Sequence, residues 1–241
     1  MIEVEILPTV RVVQESDLSG KIAIVIDVLR ATSVLCTAMH NGAKGFEAVR
    51  TPEEAFALRD RLGADNVILG GEREADKIDG FDVGNSPSEY TPEVVGGKTV
   101  VLTTTNGTEA LVACCGASRV MIASLLNYAA AARAAVDTAL AEGLCVAIVC
   151  SGTLGKFSIE DAVCAGLIAK EIEGRVGVSY SNDGAVGIRM IVESGQQKAL
   201  EMIAHGSHYQ KLMSKGYGAD IIACLECNVF DEVFWVGSGQ G

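Results

Sequence analysis

The sequence predicts an α/β layered fold, and three observations carry that expectation. Short apolar runs such as Lys21–Val28, Lys98–Leu102 and Leu144–Cys150 alternate with segments that read as helices. Hydrophobic residues make up 49% of the chain but aromatic ones only 5%, so the core must be built mainly from Val, Ile, Leu and Ala. The chain also holds 27 Gly against 4 Pro, which suits many tight joins between strand and helix. Its 241 residues fit one large domain over 1–241, built as one lobe or two.

The elements follow in order. Ile2–Leu7 alternates apolar and acidic residues, predicting an edge or antiparallel strand. Lys21–Val28 is the strong central strand. Thr32–Asn41 reads as a helix closed by Asn41–Gly42, and Gly45–Val49 as a short strand. Thr51 caps the next helix, with Pro52 in its first turn and Glu53 and Glu54 behind, running to about Leu62. Asn66–Leu69 is another buried strand. Gly70–Tyr90 is polar, Gly-rich and without clean periodicity, so it reads as a long functional loop packed by Ile78, Phe81 and Val83.

Lys98–Leu102 is a strand, Glu109–Cys115 a helix, Arg119–Ala123 a strand, Asn127–Ala141 an Ala-rich helix and Leu144–Cys150 a strand. Ser158 caps a helix that runs to about Ile172. Glu173–Gly187 reads as a loop, while Ile188–Glu193, Gln197–Ile203 and His208–Lys215 read as helices. Asp220–Cys224 and Val229–Val236 are the expected final strands.

Net charge is -12, which disfavours nucleic acid and anionic membrane surfaces as partners. An anionic substrate would need a site made positive locally. Most of the 8 Cys lie in apolar runs, the usage of buried thiols in a reducing compartment. The segment MIEVEILPTV carries no secretory signal pattern, and no apolar run reaches the roughly 18 residues of a membrane span. Cytoplasm is the expected location and a homodimer the expected assembly.

Polar clusters stand at four strand ends: Asp27/Arg30/Thr32, Glu72/Arg73, Thr103–Thr108, and Ser151 to Asp161. In parallel α/β sheets such ends converge on one edge, where ligands bind. An Asp there can hold a metal or act as nucleophile, and an Arg can clamp a phosphate. The TTTNGT turn at Thr103–Thr108, leading into a helix, offers hydroxyls and free amides to a phosphate, or is simply a Thr-rich turn with a cap. Glu160 and Asp161 either complement a helix dipole or join Asp27 and Glu72 as hard oxygen ligands suited to Mg²⁺. Neither GxxxxGK[ST] nor GxGxxG occurs, which disfavours nucleotide binding. His205, His208, Cys224 and Cys227 have the spacing of a zinc site but not its context. His208, beside Ser207, reads more readily as a helix start or substrate contact, and Cys150 as a buried structural thiol.

Five motifs in order then show a resemblance: DVLRATS from Asp27, GGER at Gly70–Arg73, FDVGNSP at Phe81–Pro87, TTNGT at Thr104–Thr108, and CSG…FSIEDA from Cys150 to Ala162. The pattern SH…L…G…D…C from Ser207 to Cys224 extends it. Over nearly the whole chain the sequence resembles the 2-phosphosulfolactate phosphatase family. The resemblance implies a three-layer α/β/α fold with a mostly parallel or mixed sheet. It also implies a Mg²⁺-dependent phosphatase that hydrolyses 2-phospho-3-sulfolactate to 3-sulfolactate and phosphate on a route to coenzyme M. Carried onto this chain, it makes Asp27, Arg30, Glu72 and Arg73 catalytic. Thr32, Asn85, Ser86, Asn106, Gly107, Thr108, Ser151 and Gly152 would bind substrate, and Mg²⁺ would sit on some of Asp27, Glu72, Glu160 and Asp161. Family members tend to carry an Asp near Asn228 and a Pro near the last strand, and this chain has neither. Two other readings stay open: a phosphatase for other 2-hydroxy-acid phosphates, and a binding protein for anionic metabolites without turnover.

Overall fold

The computed structural model describes residues 1–237, so the last four residues of the domain read as 1–241 lie outside the described residues. The strands are β1 (Ile2–Leu7), β2 (Lys21–Ile26), β3 (Gly45–Ala48), β4 (Val67–Arg73), β5 (Asp76–Lys77), β6 (Thr99–Thr103), β7 (Arg119–Ala123), β8 (Cys145–Cys150), β9 (Val178–Tyr180) and β10 (Phe234–Trp235). They form a six-stranded sheet in the order β10-β7-β2-β8-β1-β9 and a four-stranded sheet in the order β3-β6-β4-β5. The first is parallel except for β10, the second parallel except for β5.

The fold is a three-layer α/β/α arrangement, and side-chain alternation along β2 shows how it is assembled. Ile22, Ile24 and Ile26 face one way and pack with helices Tyr128–Glu142 and Ile159–Glu173. Ala23 and Val25 face the other way, into a core shared with helix Ala31–His40 and with Phe46, Ile68, Val100 and Leu102 of the smaller sheet. The far side of that smaller sheet is closed by Ala55 of helix Pro52–Leu62 and by Phe81. Thr51 caps this last helix as expected, its hydroxyl accepting from Glu54 N at 3.2 Å.

Several expectations are corrected. β1 is an interior strand, parallel to both β8 and β9. Its alternation arises because Ile2, Val4 and Ile6 meet the helix layer, while Glu5 on the opposite face receives Lys21 Nζ at 2.7 Å. The segment 220–224 lies in a helix, Gly218–Cys224. Asp220, Ile221 and Cys224 are buried and Ile222 is exposed, a helical spacing that so short an apolar run cannot reveal. The last strand is only Phe234–Trp235.

The polar stretch Gly70–Tyr90 extends β4 to Arg73, adds β5 and ends in a 3-10 turn at Pro87–Glu89. Gly71 permits that extension: its φ is 149°, and a Cβ there would run into the Thr103 carbonyl of β6. The expected loop Glu173–Gly187 contains β9 and the start of helix Asp183–Ile191. Among the described residues no helix is long and apolar enough to cross a membrane.

Candidate functional site

The site begins where β2 stops. Thr32 holds that end through its hydroxyl, which bridges the N–H and carbonyl of Asp27 at 2.9 Å each, and Ser33 donates to the Val28 carbonyl at 2.8 Å. These bonds turn the chain into helix Ala31–His40 and leave the Asp27 carboxylate free of the strand. Its Oδ1 accepts from Ala31 N at 3.3 Å. Burial pushes the Asp27 carboxyl up to about 6, against the lowering pull of His208. The Leu29–Arg30 peptide is cis.

The ends of β4 and β6 are tied to each other. Glu72 Oε1 accepts from Thr105 N at 2.8 Å and Oε2 from Ala75 N at 2.6 Å, so one carboxylate braces two turns. Arg73 turns away and donates to the Glu72 carbonyl, the Arg50 carbonyl and the Thr103 hydroxyl. In the TTTNGT turn, the Thr108 hydroxyl accepts from Thr104 N at 2.8 Å, and Asn106 Oδ1 accepts from Leu154 N at 2.8 Å.

Arg30 is buried and already held. Its guanidinium pairs with Asp220, donates to Ser86 Oγ and the Ala75 carbonyl at 3.2 Å each, and stacks on the Tyr217 ring at 4.2 Å. Ser86 donates in turn to Asp220 at 2.6 Å. Three of the five guanidinium N–H donors are engaged and two remain. Asp220 and Tyr217 were not anticipated as parts of the site. The signs in the sequence were an Asp opening the apolar segment 220–224 and its place in the SH…L…G…D…C pattern.

At the end of β8, Asp161 is a junction. Oδ1 accepts from Val28 N at 2.9 Å, while Oδ2 accepts from Gly152 N at 3.0 Å and Ser151 Oγ at 3.2 Å. Burial, with Asp27 and Glu160 close by, pushes its carboxyl well above the ordinary range. Burial, with Asp161 and Glu160 close by, pushes the Cys150 thiol up too, which keeps it protonated and unreactive. Glu160 is buried at the wall of a separate small cavity of about 120 Å³.

A cavity of about 270 Å³ opens where these strand ends meet. It brings together Asp27, Arg30, Glu72, Asn85 and Asn106 of the predicted residues. The linings of the two cavities share Thr153 and His208. Thr32, Arg73, Ser86, Gly107, Thr108, Ser151, Gly152 and Asp161 do not line the main cavity but brace the loops around it. Thr104, Thr105, His208 and Lys211 line it as well. His208 Nε2 lies 2.8 Å from the Leu29 carbonyl, which can only accept, so Nε2 carries a proton. Its Nδ1 is buried without a hydrogen-bond partner, as is Asn85 Oδ1. Two orphaned polar atoms in the wall of one cavity are groups that a ligand, an ion or a water bound there would satisfy. A larger groove of about 640 Å³ lies at the opposite end of β7, around Arg119 and Glu142, away from these groups.

Among the described residues no three Asp, Glu, His or Cys groups converge to cage a metal. Mg²⁺ does not need such a cage, because one or two carboxylates suffice when waters and substrate phosphate complete its shell. Asp27, Glu72 and the orphaned Asn85 Oδ1 offer hard oxygens in one cavity, and that donor chemistry fits. Each Glu72 oxygen takes one backbone donor and keeps a second lone pair, whereas Asp161 accepts three donors and does not line the cavity.

With this geometry in hand, comparison with known proteins is informative. The family model described as 2-phosphosulpholactate phosphatase matches residues 7–239. A Clostridium perfringens (strain 13 / Type A) protein is 40% identical over 240 residues, covering 99% of this chain and 95% of its own. A Caldanaerobacter subterraneus protein is 40% identical over 225 residues, covering 92% and 90%. One from Symbiobacterium thermophilum is 41% identical over 214 residues, covering 87% and 88%. Each bears the name probable 2-phosphosulfolactate phosphatase.

Proposed function

The chain belongs to the 2-phosphosulpholactate phosphatase family, and from that premise we propose that it is a Mg²⁺-dependent phosphomonoester hydrolase. Its substrate is 2-phospho-3-sulfolactate and its products are 3-sulfolactate and phosphate, a step on a route to coenzyme M. The observation that supports this most directly is the cavity at the strand ends. It gathers two buried carboxylates, an orphaned amide oxygen and a buried guanidinium in a space of small-molecule size.

Asp27, Glu72 and Asn85 hold the metal in this reading. When bound, Mg²⁺ supplies positive charge that neutralises and polarises the phosphoryl group. Glu72 also fixes the Thr105 and Ala75 turns, so the wall facing the phosphoryl group is rigid before substrate arrives. Arg30 offers its two remaining N–H donors to anionic oxygens, and Asn106 stands in the same wall. Asp27 acts ionised in either role open to it, nucleophile or metal ligand. Phosphoryl transfer draws most of its acceleration from positioning and charge stabilisation, which are the services this wall can give.

The test is phosphate release from racemic 2-phosphosulfolactate, 2-phospholactate and phosphoglycolate, each with Mg²⁺ and with EDTA. Release that requires Mg²⁺ and favours the sulfonate is expected. Equal turnover of all three would keep the chemistry and drop the substrate. No release from any would leave a binding protein.

A further inference from the structure

Helix Ser207–Ser214 contributes a wall to the cavity through His208, Lys211 and Leu212, the i, i+3, i+4 face of that helix. His208 is anchored beside the reacting edge, with Nε2 on the Leu29 carbonyl and Nδ1 unpartnered. Lys211 stands three residues on, about 4.5 Å further along the helix axis. Its ammonium takes no ion pair or side-chain hydrogen bond among the described residues.

The charge balance of the cavity gives that free ammonium a purpose. The wall carries three acids, Asp27, Glu72 and Glu74. Arg30 lines it too, but its charge is already met by Asp220, with side chains 2% and 10% exposed. Lys211 is therefore the cation in the wall with charge left for an incoming anion. A phosphomonoester with a second and third anionic group on adjacent carbons places one of them a few ångströms from its phosphorus. Lys211 lines the same cavity as Asp27, so it can meet such a second group.

We propose that Lys211 is the specificity-determining residue of the site, binding a non-phosphoryl anionic group of the substrate while the phosphoryl group sits at Asp27. The assignment rests on the phosphatase reading above for the identity of the reacting end. The group itself is a sulfonate or carboxylate on the carbon next to the phosphate ester.

The experiment compares wild type with Lys211→Met and Lys211→Arg. The substrates are 2-phosphosulfolactate, 2-phospholactate (no sulfonate) and the phosphate ester of 2-hydroxyethanesulfonate (no carboxylate). For the full substrate, Lys211→Met should raise KM about ten- to hundredfold, the usual effect of losing a charged hydrogen bond, with kcat changing less than about threefold. Lys211→Arg should recover most of the loss. The penalty should shrink for whichever truncated ester lacks the group that Lys211 reads, which tells sulfonate from carboxylate.

Equal losses on all three esters, or a fall in kcat with KM intact, would assign Lys211 to the phosphoryl end and overturn the proposal, as would no change at all. Calorimetric titration with 3-sulfolactate separates this inference from the activity. Binding that weakens in Lys211→Met sustains it even where no phosphate is released, and binding indifferent to Lys211 removes it.

Discussion

Gly107 lies directly against Asp27: a Cβ on Gly107 would stand 2.8 Å from Asp27 Oδ2 and 2.5 Å from the Ala31 Cβ. The helix that starts at Gly107 thus closes over the acid at the end of β2, and only a residue without a side chain lets it come so near. Gly107→Ala should destabilise the protein by about 1–3 kcal/mol through overpacking and lower kcat at least about tenfold by displacing the carboxylate. Thermal melting and phosphate-release kinetics check both parts. A variant with wild-type melting and kcat would show that this approach is looser than described.

Asp27→Asn should abolish turnover and yet stabilise the metal-free protein at neutral pH. The sign follows from linkage. The Asp27 carboxyl is raised from 3.8 to about 6 by burial. Between those values the unfolded chain has released a proton that the folded one keeps, so stability falls as pH rises. Above about pH 6 the penalty is fully present, of order 3 kcal/mol for about two units. Below about pH 4 it vanishes. Melts in EDTA should show the Asn variant ahead of wild type at pH 7.5 and level with it at pH 4, and the opposite ordering would refute the burial argument.

Asp220→Ala should be among the most damaging changes far from Asp27 in the chain. It strips the counter-charge from a guanidinium that is itself buried, a loss of about 3–5 kcal/mol. Activity should fall with stability, because Arg30 would no longer be held between Ser86 and Tyr217. Asp220→Asn, which keeps a hydrogen-bond acceptor, should recover part of the stability. Denaturant unfolding of the three proteins measures the difference.

Asp161→Ala should unfasten the loop after β2 from the loop after β8, since it removes the acceptor for Val28 N, Gly152 N and Ser151. Orphaning buried donors at about 1–3 kcal/mol each predicts severe destabilisation. Hydrogen exchange at Val28 and Gly152 should rise well before the central strands open. Protection that persists at both amides would mean that other acceptors hold them.

The convergence of the polar strand ends was legible in the sequence because its signal is local. An apolar run that stops at Asp27, Glu72 or Thr103 announces a strand end, and parallel strands bring such ends together. What could not be read was who engages whom. Asp161 has the same first-turn position whether it binds metal or caps three donors, and only the fold brings Val28 and Gly152 to it. Arg73 and Arg30 look alike in sequence, yet one braces backbone carbonyls and the other enters the cavity. The C-terminal segment misled most. A five-residue apolar stretch fits a strand or a helix equally, and the choice hid Asp220 from Arg30 until the tertiary contact was seen. His208 read as a helix start or a substrate contact beside Ser207, and the structure puts it in the first turn of a helix and in the cavity wall; Lys211 carried no local mark.

The partnership of Arg30 with Asp220 also sets an order of events during synthesis. Arg30 leaves the ribosome 190 residues ahead of its counter-ion. Until then the nascent chain holds a cation bound for the interior with nothing to neutralise it. The pocket therefore closes only after residue 220 has been made. A product terminated before residue 220 lacks the counter-charge that Arg30 is buried against, and proteases that survey nascent chains would meet it in that state.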